Sequence, residues 1–485
     1  MFSALADVAK RIADSLEERA VANSPRGQAP CRLPWPPHFL WADKGTKQPQ
    51  KIHMAMIVFA VIFRLENRRT ENLKTRATRL QHSGFAASKP NHHNQSFEGG
   101  RKDQMTYSAN AKEFIGNFVG GAVIAFALMA GLAQMAVAAE PDFGAASVLA
   151  QVPQPGFPEG IVRSGFYTYV TGPATFGTAG NGTPSKIWVY NTVTGALVHT
   201  EDVVGEDLSQ EHANSCAAVD GWGRLYVLNT QLGVIRYHTL INGDLAGQQV
   251  YGQPLPNLPP CIAVPAGTPC SPLPVDTPPL SNDLAFDLFG NLYVTDSLQA
   301  TIWRYPFGGG APQIWFQDIR LAPGAAPGSI GVNGIRIHPL HNKVFVSVSV
   351  SIDFNGQGHI YTLPLVAKPK AADLQVFHSF APGDLPDGIA FGLSGVLYVT
   401  DATPFSSGII GLRSDGSEVF RFTNPVNTPI NPYDSPANIA FDGRGSLLVT
   451  NHAFATGQQL PQQFQVLKVY VRDFEIGLFK PFILP

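Results

Sequence analysis

Six short stretches of this chain open alike, with Glu, Asn or Asp ahead of a few apolar residues. They are Pro158-Glu159-Gly160, Ala213-Asn214-Ser215, Ser281-Asn282-Asp283, Val332-Asn333-Gly334, Pro386-Asp387-Gly388 and Ala437-Asn438-Ile439. Two carboxylates and four amide oxygens brought to one point would form a hard, oxygen-only environment. Such a site suits Ca2+ best, with Mg2+, Mn2+ and Zn2+ as alternatives. No CxxC or Cys/His spacing marks a dedicated zinc site. Taken singly, Asn or Asp before a strand is a favoured turn residue that bonds its own backbone. Glu159 has no such turn preference, and the recurrence at all six places is the stronger signal.

The stretches stand roughly 50 to 70 residues apart, and most lead into the same succession of elements. A Gly or Asn turn follows, then a β-rich strand such as Leu292-Tyr293-Val294-Thr295-Asp296 or Leu397-Tyr398-Val399-Thr400-Asp401. A third strand comes next, as in Thr301-Ile302-Trp303-Arg304-Tyr305, and in places a fourth. Repeats of about 40–50 residues with four strands each are the signature of a β-propeller. The expected fold is all-β, a six-bladed β-propeller of four-stranded antiparallel blades around a central channel. The first strand of each blade would line that channel, so the six recurring positions would project toward one axis. Residues 145–152 are expected to close the ring by pairing with the last blade.

Composition agrees. The chain has 485 residues, 44% hydrophobic and only 14% charged, with 47 Gly and 40 Pro, as many short strands and turns require. A formal net charge of −2 lacks the concentrated basic face that nucleic acid binding needs. Asp296 and Asp401 close second strands, as Asn229 and Asn451 do, and read as turn-bonding residues. There is no GxSxG and no Ser/His/Asp order for a serine hydrolase.

The N-terminal part differs. Residues 1–104 carry basic, low-complexity sequence without the repeat and read as a disordered or upstream-translated extension. Residues 105–139 resemble a secretory signal: Lys112, an apolar run from Phe118 through Ala133, and small residues at Ala136-Val137-Ala138-Ala139 before Glu140. A transmembrane helix is the alternative. Residues 140–485 would then be the exported propeller, periplasmic or secreted, without a stable membrane anchor after cleavage. Cys261 and Cys270 bracket a Pro-rich loop that a disulfide would staple in that compartment. Cys216 reads as a buried thiol.

Together, Pro158-Glu159-Gly160, Asn282-Asp283, Asn333-Gly334 and Pro386-Asp387-Gly388, with the LYVTD strands, resemble the SMP-30/gluconolactonase/LRE-like family of six-bladed propellers. More distantly the chain resembles the paraoxonases and strictosidine synthases. The resemblance implies a divalent cation held by Glu159, Asn333 and Asp387, with Asp387 also the general base. It implies that Asn282 helps hold substrate. Sugar-lactonase members carry an Arg where this chain has Leu280, which points to a less polar small-molecule substrate or to no lactone at all. Asn214, Asn438 and His212 are expected to face that substrate, and His452 stands near the channel mouth. The expected activity is metal-dependent lactone or ester hydrolysis. The alternatives are a binding propeller with a structural cation, or a strictosidine synthase-like protein.

Overall fold

The computed structural model describes residues 140–484 apart from 327, 353–355 and 429. The extension and the signal segment lie outside the described residues. Six four-stranded antiparallel sheets form a six-bladed propeller. The first strands, Ile161–Ser164, Asn214–Val219, Ser281–Phe286, Val332–His338, Pro386–Phe391 and Pro436–Phe441, follow one another around the axis. The sixth blade takes its outer strand from the other end of the chain. Ala146–Gln151 pairs antiparallel with Gln465–Tyr470, as the sequence led us to expect. The ring is thereby closed by hydrogen bonds between its two ends.

The strands are β-branched and aromatic, and nearly all of the first three in each blade are buried. Large side chains fill the space between neighbouring sheets. Trp303 of blade three packs with Tyr226 of blade two, and Trp188 of blade one with Leu448 and Val466 of blade six. The second-strand termini hold their turns as expected. The Asp296 carboxylate accepts from Leu280 N at 3.0 Å and Trp303 Nε1 at 3.1 Å, and Asp401 from Leu385 N at 3.0 Å.

Successive strands run in opposite directions, so each blade places its first-to-second and third-to-fourth turns on one face. The starts of the first strands, with the candidate residues, lie toward the other. Asp220 and Asp287 accept backbone N–H bonds within the first turns of blades two and three, and a tyrosine hydroxyl bonds each. Blade five has Gly392 at that place. Asp473, from the segment after the last strand, enters instead and accepts from Ser394 N and the Tyr398 hydroxyl. The same C-terminal segment then crosses the face. Glu475 pairs with Gly392, Ile476 N bonds Phe391 O, and Gly221 N of blade two bonds Pro481 O. It covers the far end of the channel, leaving a cavity of about 60 Å³ beneath it.

Candidate functional site

Register decides which side chains reach the open end of the channel. In blades three to six the residue after the first pairing position begins an irregularity, and the regular ladder resumes at Leu284, Ile335, Ile389 and Ile439. In blade two it resumes at Ala217, and in blade one the ladder starts at Ile161. Counting back from these anchors, equivalent positions are Glu159, Ser215, Asn282, Asn333, Asp387 and Ala437. The first five line one cavity of about 310 Å³.

Two expectations are therefore corrected. Asn214 sits one residue too early and Asn438 one too late. Strand side chains alternate in direction, so a shift of one turns each away from the cavity. Asn214 is fully buried between blades one and two, donating to Lys186 O of blade one and accepting from Asn229 Nδ2 of its own blade at 2.9 Å. His212 is corrected too. It does not line the cavity, and both its ring nitrogens lie against backbone carbonyls, Gln210 O at 2.9 Å and Thr183 O at 2.8 Å. His452 does line it, with Nε2 2.8 Å from Ala174 O and 3.7 Å from Glu159 Oε2.

Glu159, Asn333 and Asp387 are brought to this cavity and Asn282 to its wall. The glycines after them are steric requirements. A Cβ at Gly334 would lie 2.5 Å from Asp387 O, and one at Gly388 2.6 Å from Ala437 O. Neighbouring first strands could not approach so closely with larger residues there.

A feature that sequence reasoning missed fixes the ring from behind. The Thr450 hydroxyl donates to Glu159 O at 2.6 Å, Thr295 to Asn333 O at 2.6 Å, and Ser347 to Asp387 O at 2.6 Å. Thr171 and Thr400 do the same for Ser215 and Ala437. Each hydroxyl comes from the second strand of the preceding blade. In blade two that register holds Leu228, so the girdle skips Asn282. The signal was present in the sequence as the Thr or Ser of the YVTG, YVTD, FVSV and LVTN strands.

Both acids are held away from their ordinary ionisation. Burial pushes the Glu159 carboxyl up to about 8, with the Asp283 charge adding to it. Burial raises Asp387 well above the carboxylate range, and the charges of Glu159 and Asp283 add while the Asn333 amide works against them. Asp387 Oδ1 and Asn333 Oδ1 are buried without a hydrogen-bond partner. The Asn333 amide nitrogen donates to Ser349 Oγ at 2.9 Å, which leaves its oxygen free. Among the described residues no cluster of three or more His, Cys, Asp or Glu side chains is poised for a metal. The donor set is two carboxylates and two amides, all oxygen, which fits a hard cation.

One residue deeper, the channel is filled. Asp283 Oδ2 accepts from Arg336 Nη1 at 2.7 Å and Ile335 N at 2.9 Å. Arg336 Nη2 reaches Asn438 Oδ1 at 3.1 Å, and Asn438 Nδ2 reaches Cys216 Sγ at 3.1 Å. The loops at the cavity mouth contribute unequally. Phe176, from the loop spanning 173–184, lines it, whereas none of residues 255–279 does. In the latter loop Cys261 and Cys270 are joined, their Cα atoms 4.8 Å apart.

The molecule is thus a six-bladed propeller with an acidic, oxygen-lined pocket at one end of a plugged channel. No protein-family model and no curated protein matches the sequence. Among solved structures it is similar to the calcium-binding protein regucalcin from Agrobacterium tumefaciens, with 15% identity over 70% of this chain and 98% of that one, at a TM-score of 0.47. It is similar also to a putative gluconolactonase, at 14% identity, 70% and 95% coverage and a TM-score of 0.43. A luciferin-regenerating enzyme matches at 13% identity, 70% and 99% coverage and a TM-score of 0.45. Likeness at this level carries no argument about activity; the site's own chemistry must do so.

Proposed function

We propose that the chain is an exported, divalent-cation-dependent hydrolase of lactone or carboxylic ester bonds, with Ca2+ as the expected ion. The observation that carries this reading is the pair of buried acids, Glu159 and Asp387, beside unpartnered Asp387 Oδ1 and Asn333 Oδ1. Among the described residues no lysine or arginine lines the cavity to balance them. Two carboxylates buried together without a counter-charge repel each other and favour bound protons or a cation.

Glu159, Asn333 and Asp387 would hold the ion, which supplies a Lewis acid to polarise the substrate carbonyl. Asn282 sits on the cavity wall, where it can orient the polar end of the substrate. Asp387, ionised, would take a proton from the water that attacks the carbonyl carbon and return it to the departing alkoxide oxygen as the acyl–oxygen bond breaks, a role that a positioned carboxylate can perform. Phe176, Leu280, Ile330, Val350, Leu385 and Phe454 line the same cavity, where they would flank the acyl portion. Those walls favour a substrate poorer in hydroxyls than a sugar lactone.

Lactone and aryl-ester hydrolysis, measured with Ca2+ and with chelator, tests the proposal. Asp387→Asn and Glu159→Gln should each lower turnover by ~100-fold or more. If chelation lowers Tm while no substrate turns over, the hydrolase reading fails and a binding propeller with a structural cation replaces it. Export has a separate check, since N-terminal sequencing of secreted material should begin near Glu140.

A further inference from the structure

Resting on the hydrolase reading of this site, we infer that Ser435 determines its specificity. It selects an acyl group that carries one oxygen substituent on an otherwise apolar frame.

Two residues before each position of the cavity ring lies a second ring, nearer the mouth. In each blade an N–H just beyond the second strand donates to its carbonyl, that of Phe157, Ala213, Leu280, Gly331, Leu385 or Ser435. The shared bond makes the six positions equivalent whatever their side chains. Five are apolar or glycine, and Ser435 is the one polar member. Blades three and six stand opposite in a ring of six, so Ser435 lies across the axis from Leu280.

Ser435 is held there against its local preference. Its φ of 48° lies in the left-handed region that favours glycine. The backbone is fixed from both sides, with N donating to Ser407 Oγ at 2.9 Å and O accepting from His452 N at 3.2 Å. The residue lines the cavity and is only 2% exposed, yet its hydroxyl has no hydrogen-bond partner among the described residues. By contrast the Ser349 hydroxyl, also on the wall, donates to Pro386 O at 2.7 Å. Ser215 Oγ is likewise unpartnered, but it belongs to the first ring with the acids. Strained backbone and an unsatisfied buried hydroxyl each destabilise a fold, and strained residues cluster at ligand sites. A serine hydroxyl both donates and accepts, so a substrate hydroxyl or carbonyl oxygen is the partner it lacks.

The facing walls set the rest of the substrate. Leu280, Ile330, Val350 and Leu385 offer apolar contact and no side-chain hydrogen bond. A second hydroxyl lying against them would lose its water without a replacement bond.

Hydrolysis of four phenyl esters, measured with Ca2+ present, tests this assignment. They are the hexanoate and its α-hydroxy, β-hydroxy and α,β-dihydroxy derivatives. One monohydroxy ester should exceed both the plain and the dihydroxy ester in kcat/KM by roughly tenfold or more. Ser435→Ala should bring the ratio of that ester to the plain one close to unity. Equal kcat/KM across the four in the parent overturns the assignment. So does a variant that loses rate on every ester and keeps the parent's ratio, as a purely structural serine would. If no ester turns over, the hydrolase reading fails by itself, and calorimetric binding of the same four esters decides for Ser435. A monohydroxy preference that Ser435→Ala abolishes then upholds its role, and equal or absent binding overturns it.

Discussion

Two layers of the same channel, one residue apart along the same strands, solve the problem of a buried carboxylate in opposite ways. In the deeper layer Asp283 meets the Arg336 guanidinium at 2.7 Å and two backbone N–H groups, those of Leu284 and Ile335. In the upper layer Glu159 and Asp387 share a cavity with no arginine, and Asp387 Oδ1 bonds nothing. The deeper layer is complete as protein. Among the described residues no lysine or arginine lines the upper layer, and that deficit is what the proposed cation would fill.

The comparison can be broken most forcefully from below. Arg336→Met leaves Asp283 buried and unpaired, which should cost ~3–5 kcal/mol of stability by denaturant titration. A loss below ~1 kcal/mol would show that the deeper layer is not held by its ion pair. Removing a charge from the upper layer should do the reverse. In cation-free protein Asp387→Asn is expected to leave Tm unchanged or raise it, because it deletes an unpaired buried acid. The same variant should lose the Tm increment that millimolar Ca2+ gives the parent.

Acidity sharpens the contrast. The Glu159 carboxyl is raised in the fold from 4.5 to about 8, so protons bind the folded state more tightly than the unfolded one. Its contribution to cation-free stability is full below about pH 4.5 and is lost as pH rises through about 8. Thermal melts across that window should show the decline, and Glu159→Gln should flatten it. Cation affinity should rise over the same interval, since the ion must displace the proton. The smallest effect concerns the girdle. Thr295→Val strips the donor from Asn333 O and should cost ~1–2 kcal/mol, with a weaker Ca2+ response.

The architecture was largely legible because it repeats. Strand-turn-strand sentences with LYVTD endings announce blades, and Ala146–Gln151 had no other blade to join. The glycines after Glu159, Asn333 and Asp387 stood in the recurring motifs, but the close approach they permit shows only in the packing. The ring itself was not legible. Matching on Asn pulled Asn214 and Asn438 into it, whereas matching on the apolar anchors Ala217 and Ile439 yields Ser215 and Ala437. A strand reverses its side chains at every residue, so chemical likeness at one place is a weaker guide than the ladder around it. The Arg336–Asp283 plug was also invisible, because it joins first strands of adjacent blades whose proximity exists only after closure.

The C-terminal segment has a further consequence. With Arg336 and Asn438 filling the interior and residues from Glu475 to Lys480 roofing the far end, the described residues leave no through-passage. The pocket is a cul-de-sac. Phe176, from the loop spanning 173–184, and Phe454 stand on the wall of that one-ended cavity, so a ligand of the proposed site would enter and leave on the same side.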